Sequence, residues 1–202
     1  MNASATFTSV KQCLTWLEQQ HPEHDIELGL GRISQVAKQL LGDKPIAKQV
    51  ITVAGTNGKG STVAFLGAIL EASGLTYGAL TSPHFVRFNE RICFNGEMVS
   101  DADLCASFER VNQARIEAAE TPVELTYFEF NTLVAFDLMQ HKQPDVALLE
   151  VGLGGRLDAV NVIDADIAIV TSIALDHMDW LGSDLEVIGR EKAGIFRAGK
   201  VT

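Results

Sequence analysis

Residues 49–62 read Gln-Val-Ile-Thr-Val-Ala-Gly-Thr-Asn-Gly-Lys-Gly-Ser-Thr. A run rich in β-branched residues enters a glycine-rich turn with one lysine, and a small-residue helix follows. That order builds a phosphate cradle. Backbone N–H groups of the turn and of the helix N-terminus point at an anion, and Lys59 adds a point charge. Gly55, Gly58 and Gly60 supply the backbone freedom and close approach that a side chain would block. The standard pattern puts the hydroxyl residue directly after the lysine; here Gly60 intervenes before Ser61. The bland alternative is a glycine-rich turn with a stray lysine, and the order of strand, turn and helix signals argues against it.

The elements around this loop follow from hydrophobic period. Val10, Cys13, Leu14 and Leu17 predict an amphipathic helix over about 8–20. Ile33, Val36, Ala37, Leu40 and Leu41 predict a second, closed by Gly42. The strand at about 49–54 runs into the cradle, and the next helix runs to about Ser73. A short strand, Thr76–Leu80, ends in Thr-Ser-Pro-His. Asn95-Gly96 between Arg91–Phe94 and Glu97–Val99 is a strong hairpin signal. Ser100-Asp-Ala-Asp103 and Thr126-Tyr-Phe-Glu129 are capping boxes that open two long helices. Asp145–Val151 and Asp166–Ile173 are apolar strands, separated by a glycine-rich loop from Gly152 to Asn161. Ser183-Asp-Leu-Glu186 caps the last full helix. Continuous apolar strands separated by helices predict an α/β fold, with a parallel sheet covered by helices on both faces.

In such a sheet, ligands bind beyond the carboxyl ends of the strands. The four strands deliver Gly55–Ser61, then Ser82 and His84, then Glu150, then Asp176, His177 and Asp179. Hydroxyl, carboxylate and imidazole near a phosphate cradle suit a Mg²⁺ that bridges nucleotide phosphates, although imidazole is an uncommon Mg²⁺ ligand. Each residue has a plainer reading. Glu150 could pair with Arg156, His177 could cap a loop, and Ser82 before Pro83 could be turn chemistry. His84 reads as structural. Lys192, taken alone, reads as a solvated helix lysine. An uncompensated charge after an apolar run is costly, so a cation explains Glu150 better than an isolated surface role.

The composition narrows the classes. A chain of 202 residues accommodates one domain and part of a second. The net charge of −10, without a basic run, argues against nucleic acid. Cys13, Cys93 and Cys105 form neither a zinc pattern nor a disulfide framework, so a reducing cytoplasm is expected. No signal peptide and no membrane-spanning run is visible. Gly199-Lys-Val-Thr202 reads as the start of another strand, so the chain is expected to be a fragment of a longer one.

Five motifs together carry a resemblance. Val53–Thr62 resembles the P-loop of the folylpolyglutamate synthase and dihydrofolate synthase family, relatives of the Mur peptide ligases. Their loop also places a residue between the lysine and the hydroxyl. Thr81–Arg91, Leu149–Asn161, Ser172–Gly182 and Gly189–Arg197 are similar to the family's further signatures, the second of these a mobile Ω-type loop. Leu125-Thr-Tyr-Phe-Glu129 resembles the bifunctional bacterial members. The likeness implies a Mur-ligase-like ATPase domain over 1–202, incomplete, with a C-terminal glutamate-binding domain beyond it.

The resemblance also implies roles. Thr56, Asn57, Gly58, Lys59, Gly60 and Ser61 would hold the ATP triphosphate. Ser82, Glu150, His177 and a carbamylated Lys192 would hold Mg²⁺, and Lys59, His177 and Lys192 would serve the chemistry. Thr126, Phe128, Asp158 and Ala159, with neighbouring Tyr127, Glu129, Gly155 and Leu157, would line a pterin pocket. Asp25, Ile26, Glu27 and Leu28 would touch the same ligand. Val160 departs from a threonine common in the family. The implied reaction joins L-glutamate to dihydropteroate and adds further glutamates to folates through an acyl phosphate. The implied protein is cytoplasmic, a monomer, and has no nucleic-acid or membrane partner. The alternatives are a Mur-type amino-acid ligase, against which the Ser82-Pro-His84 and Leu125–Glu129 motifs speak, and a non-catalytic ATP-binding module. In the family the adenine contacts lie further along, so residues 1–202 alone are expected to bind ATP weakly and not to turn over.

Overall fold

The computed structural model describes residues 7–176 and 178–202. His177 lies outside the described residues. The elements are α1 (Val10–Gln20), α2 (Gly31–Leu41), β1 (Gln49–Ala54), α3 (Lys59–Ala72), β2 (Tyr77–Leu80), β3 (Ile92–Phe94) and β4 (Glu97–Met98). They continue with α4 (Asp101–Glu117), α5 (Tyr127–Lys142), β5 (Val146–Glu150), β6 (Ile167–Val170), α6 (Met178–Leu181) and α7 (Leu185–Ala193). Among the described residues, no helix is long and apolar enough to cross a membrane.

The strands form one sheet in the order β4-β3-β2-β5-β1-β6. β2, β5, β1 and β6 are parallel neighbours, as expected. The edge is different: β3 and β4 extend the same sheet antiparallel. The reason is connection length. Residues 81–91 between β2 and β3 hold no crossover helix, and a two-residue link joins only antiparallel strands. Asn95 (φ +50°) and Gly96 (φ +79°) both take the left-handed conformation that a tight hairpin turn requires.

Alternation along the strands sorts the core into two layers. Ile51 and Val53 of β1, with Val146 and Leu148 of β5, pack under Val63 of α3. Val50, Ala54, Ala147 and Leu149 face the larger layer built on α1, α2, α4 and α5. Helices therefore lie on both faces, and α5 is the most deeply buried of them. Parallel register pairs Val53 with Glu150, Ala54 with Val170, and Leu80 with Leu149. All four parallel strands thus end at one edge, which is where the chemistry-bearing loops emerge.

Local signals held with small shifts. α1 begins at Val10 because the Ser9 hydroxyl caps it. α7 is capped by Asp184, not Ser183: the Asp184 carboxylate accepts from Glu186 N. The Thr126–Glu129 capping box has both arms, Glu129 N to Thr126 Oγ1 at 3.2 Å and Thr126 N to Glu129 Oε2 at 2.8 Å. The Ser100 hydroxyl accepts from Asp103 N. The Asp103 carboxylate, instead of reaching back, takes Lys142 Nζ at 3.1 Å from the end of α5.

A polar clamp joins α4 to α5. Buried Asp137 accepts Ser107 Oγ at 2.6 Å and the Arg110 guanidinium at 2.6 and 3.0 Å. Removing the carboxylate takes the ion-pair partner from Arg110 and leaves the buried Ser107 hydroxyl only Val134 O at 3.2 Å. Asp137→Ala should lower unfolding free energy by about 2–3 kcal/mol, read as a lower urea midpoint.

Candidate active site

The cradle is laced to the neighbouring strand end before any ligand is considered. Thr56 N donates to Ser172 O at 2.8 Å, and Asn57 N donates to Ser172 Oγ at 3.0 Å. Thr171 Oγ1 donates to Asn57 O at 2.7 Å, and Thr56 Oγ1 donates to Ala174 O at 3.1 Å. Gly55 (φ +148°) has no room for a side chain, because a Cβ there would overlap Thr171 Oγ1. Gly58 enters α3 in the left-handed conformation. Lys59 Nζ folds back on its own loop, donating to Gly55 O at 3.0 Å and Thr56 O at 3.3 Å. Helix N–H groups and a tethered ammonium are a fit for a polyanion.

Glu150 ends β5 and is only 5% exposed. Its Oε2 accepts Ser82 N at 3.2 Å. The Gly60 amide faces the same carboxylate, and a Cβ on Gly60 would meet Oε2 at 3.6 Å, an ordinary contact distance. Burial raises the Glu150 pKa above the ordinary carboxylate value; the Ser82 amide, the Lys59 charge and the Gly60 amide oppose that rise. The alternative pairing with Arg156 does not form, since Arg156 takes Glu191 at 2.9 and 3.0 Å. His84 is structural, as read: its Nδ1 accepts from Arg91 Nε at 2.8 Å.

Lys192 is not a solvated helix lysine; it is 4% exposed. Burial holds its ammonium below the ordinary lysine range, Lys59 adds to this, and Asp176 opposes it. The reason for burial is close backbone packing. A Cβ on Gly155 would lie 2.8 Å from Glu191 O and 3.0 Å from Lys192 O. The 152–161 loop therefore lies flat on the last turn of α7, and Arg156 N donates to Glu191 O at 2.8 Å. Gly155 serves that packing and does not line the cavity described next. Among the described residues, no three His, Cys, Asp or Glu side chains cluster to hold a metal. A cation here would rest on a mixed set, the Ser82 hydroxyl and the Glu150 carboxylate, both oxygen donors of the kind Mg²⁺ prefers.

A cavity of about 490 Å³ opens beside Lys59 and Ser82. Its walls come from four places: residues 25–29, Thr126–Glu129, Gly152 with Leu153, and Leu157–Ala159. The expected pocket residues Asp25–Leu28, Thr126–Glu129, Leu157, Asp158 and Ala159 are thus brought together. Sequence reading missed Glu23, Gly29, Pro83, Arg91, Gly152 and Leu153. Glu23 and Arg91 look like ordinary loop charges; only the fold joins them, Arg91 Nη2 to Glu23 Oε1 at 2.7 Å.

Asp158 is the chemically distinctive wall residue. It is buried, with Oδ2 accepting Leu153 N at 2.8 Å and Oδ1 accepting Val160 N at 3.0 Å. Val160, the departure from the family pattern, is fully buried and still supplies this backbone contact. Burial pushes the Asp158 carboxyl up to about 6, against the opposing effect of the backbone amides and Lys59. A raised acid favours the folded state at low pH. Its contribution is complete below about pH 4 and is lost as pH rises through about 6. Asn carries no such dependence. The stability of Asp158→Asn relative to the parent should therefore rise by roughly 2 kcal/mol between pH 4 and 7.5, measured by urea unfolding at each pH.

Comparison with known proteins adds an independent finding. The Mur ligase middle domain pattern matches residues 53–201. Dihydrofolate synthase/folylpolyglutamate synthase of Escherichia coli (strain K12) is 54% identical over 187 residues, which is 93% of this chain and 43% of that protein. The solved E. coli FolC in complex with DHPP and ADP shares 49% identity at a TM-score of 0.90, covering 99% of this chain and 46% of that one. The bifunctional folylpolyglutamate synthase/dihydrofolate synthase from Yersinia pestis, complexed with AMPPNP and Mn ion, shares 50% identity at a TM-score of 0.84, covering 96% and 46%. The chain spans less than half the length of these relatives. A family pattern that begins in the cradle strand and runs through the buried lysine of α7, on a fold shared at this identity, places the chain in the Mur ligase middle-domain family.

Proposed function

We propose that this chain is the ATP-binding part of an ATP- and Mg²⁺-dependent ligase that joins L-glutamate to dihydropteroate and then adds glutamates to folates. One observation carries the reading: a single cavity has Lys59 and Ser82 of the phosphate edge and Phe128, Thr126 and Asp158 in its walls. An aromatic face, a hydroxyl and a buried carboxylate suit a flat, hydrogen-bonding pterin ring. The relatives named above, similar over almost the whole of this chain, support the same assignment.

In this reading the γ-phosphoryl group passes from ATP to the pterin substrate's carboxylate, forming an acyl phosphate and ADP. The glutamate amine attacks the acyl carbon and gives up a proton as the C–N bond forms, and phosphate leaves with the electron pair of the broken C–O bond. Both partners of the first step are anions, so the protein's task is to hold like charges together. Lys59 and the α3 N-terminus offset phosphate charge. The cavity walls orient the acceptor for in-line attack. Ser82, Glu150, His177 and Lys192 would hold Mg²⁺, which supplies further charge neutralisation. Lys192 joins that set as a carbamate, formed when its amine adds to CO₂ and loses a proton. Burial of this α7 residue under the 152–161 loop supports this, because a carbamate replaces a buried cation with an oxygen-donor anion. We also place the protein in the cytoplasm as a monomer.

The full-length protein tests this. Phosphate release from ATP with glutamate should require dihydropteroate, and release indifferent to it would overturn the assignment. Lys192→Ala should cut turnover by about 10²-fold or more, with partial recovery on adding a small carboxylate. Unimpaired turnover would remove Lys192 from the site.

A further inference from the structure

The link between α1 and α2, residues 22–30, forms one wall of the cavity through Glu23 and residues 25–29. Its exposed side chains and lack of regular structure give it little packing of its own. Polar anchors tie it to the opposite walls. Arg91 holds Glu23 at 2.7 Å, Gly29 N donates to Leu157 O at 3.3 Å, and Arg32 Nη1 holds Glu27 Oε1 at 2.7 Å. Arg32 Nη2 also donates to Glu27 O at 3.2 Å.

Arg32 differs from the other anchors because it does not line the cavity. Its guanidinium also engages both oxygens of Glu129 at 3.3 Å. The Glu129 side chain is 4% exposed and closes the Thr126 capping turn. One planar fork therefore joins two cavity walls: the 22–30 segment through Glu27, and the Thr126–Glu129 turn through Glu129. An exposed ion pair alone contributes little. Here, however, the pair is fixed at its inner end to a buried carboxylate, and its geometry uses several donors of a rigid group.

We propose that Arg32 is a positioning residue for the pterin substrate, setting the spacing of two cavity walls without touching the ligand. The inference rests on the ligase reading above and extends it. The partners of Arg32 are Glu27 and Glu129, neither of them in the phosphate cradle, so its influence falls on the acceptor and spares the nucleotide.

Steady-state kinetics of the full-length protein test this with Arg32→Ala, Arg32→Lys, Glu27→Ala and the Arg32→Ala/Glu27→Ala double variant. The KM for dihydropteroate should rise about tenfold in Arg32→Ala, with the KM for ATP within about twofold of the parent. Lysine should recover only part of the loss, because it cannot span both carboxylates. The double variant should be no worse than Arg32→Ala, since both substitutions break one connection. Glu27 is exposed, so its variant keeps the test alive if Arg32→Ala fails to fold. A Glu27→Ala variant with unchanged KM, or additive effects in the double variant, would overturn the inference. So would an equal rise in both KM values. Parent protein indifferent to dihydropteroate would instead overturn the ligase reading, and this inference with it.

Discussion

A carboxylate buried at the end of an apolar strand is the constraint around which this active edge is built. Glu150 cannot be left alone there, because an unpaired buried charge is far more costly than an exposed one. The fold answers with the Ser82 amide beyond β2, the Gly60 amide and the Lys59 charge from the cradle. Three strand ends are thereby tied to one acid.

The second strand of the design is the pairing of the 152–161 loop with α7. Gly155 lies against the backbone of Glu191 and Lys192, and Gly194 lies against Arg156. Gly155 meets backbone atoms and Gly194 meets the Cβ and Cα of Arg156, so both glycines are steric requirements and neither needs an unusual torsion. Through this contact the loop that supplies Leu157, Asp158 and Ala159 to the cavity also buries Lys192. Cavity wall and buried lysine are therefore positioned by the same packing.

Charge is handled locally, against the overall balance. A chain with net charge −10 presents at this edge a helix N-terminus, Lys59 and buried Lys192. Arg32 and Arg91 are each spent on carboxylates of the cavity wall. Asp158 carries the opposite burden. Its burial raises its proton affinity, and backbone amides only partly compensate. This edge thus keeps its own acids either paired with amides or inclined to protonate.

The sequence by itself determined the parallel strands, the cradle, the Thr126 capping box and the Asn95-Gly96 turn. Each is written in residues that are neighbours along the chain, where short-range sterics and hydrogen bonds decide the outcome. Most of the residues that line the cavity were named only by the family resemblance, through motifs that are local in the chain. What only the tertiary structure decided were relations between distant residues. The attachment of the Asn95-Gly96 hairpin to the edge of the parallel sheet followed from the pairing of β3 with β2. Lys192 reads as a solvated lysine until the 152–161 loop lies over it. Glu23 and Arg91 are 68 residues apart, and Arg32 and Glu129 are 97 apart. Long-range ion pairs carry no period and no spacing rule, because their geometry is set by how whole elements pack, so no local pattern could have announced them.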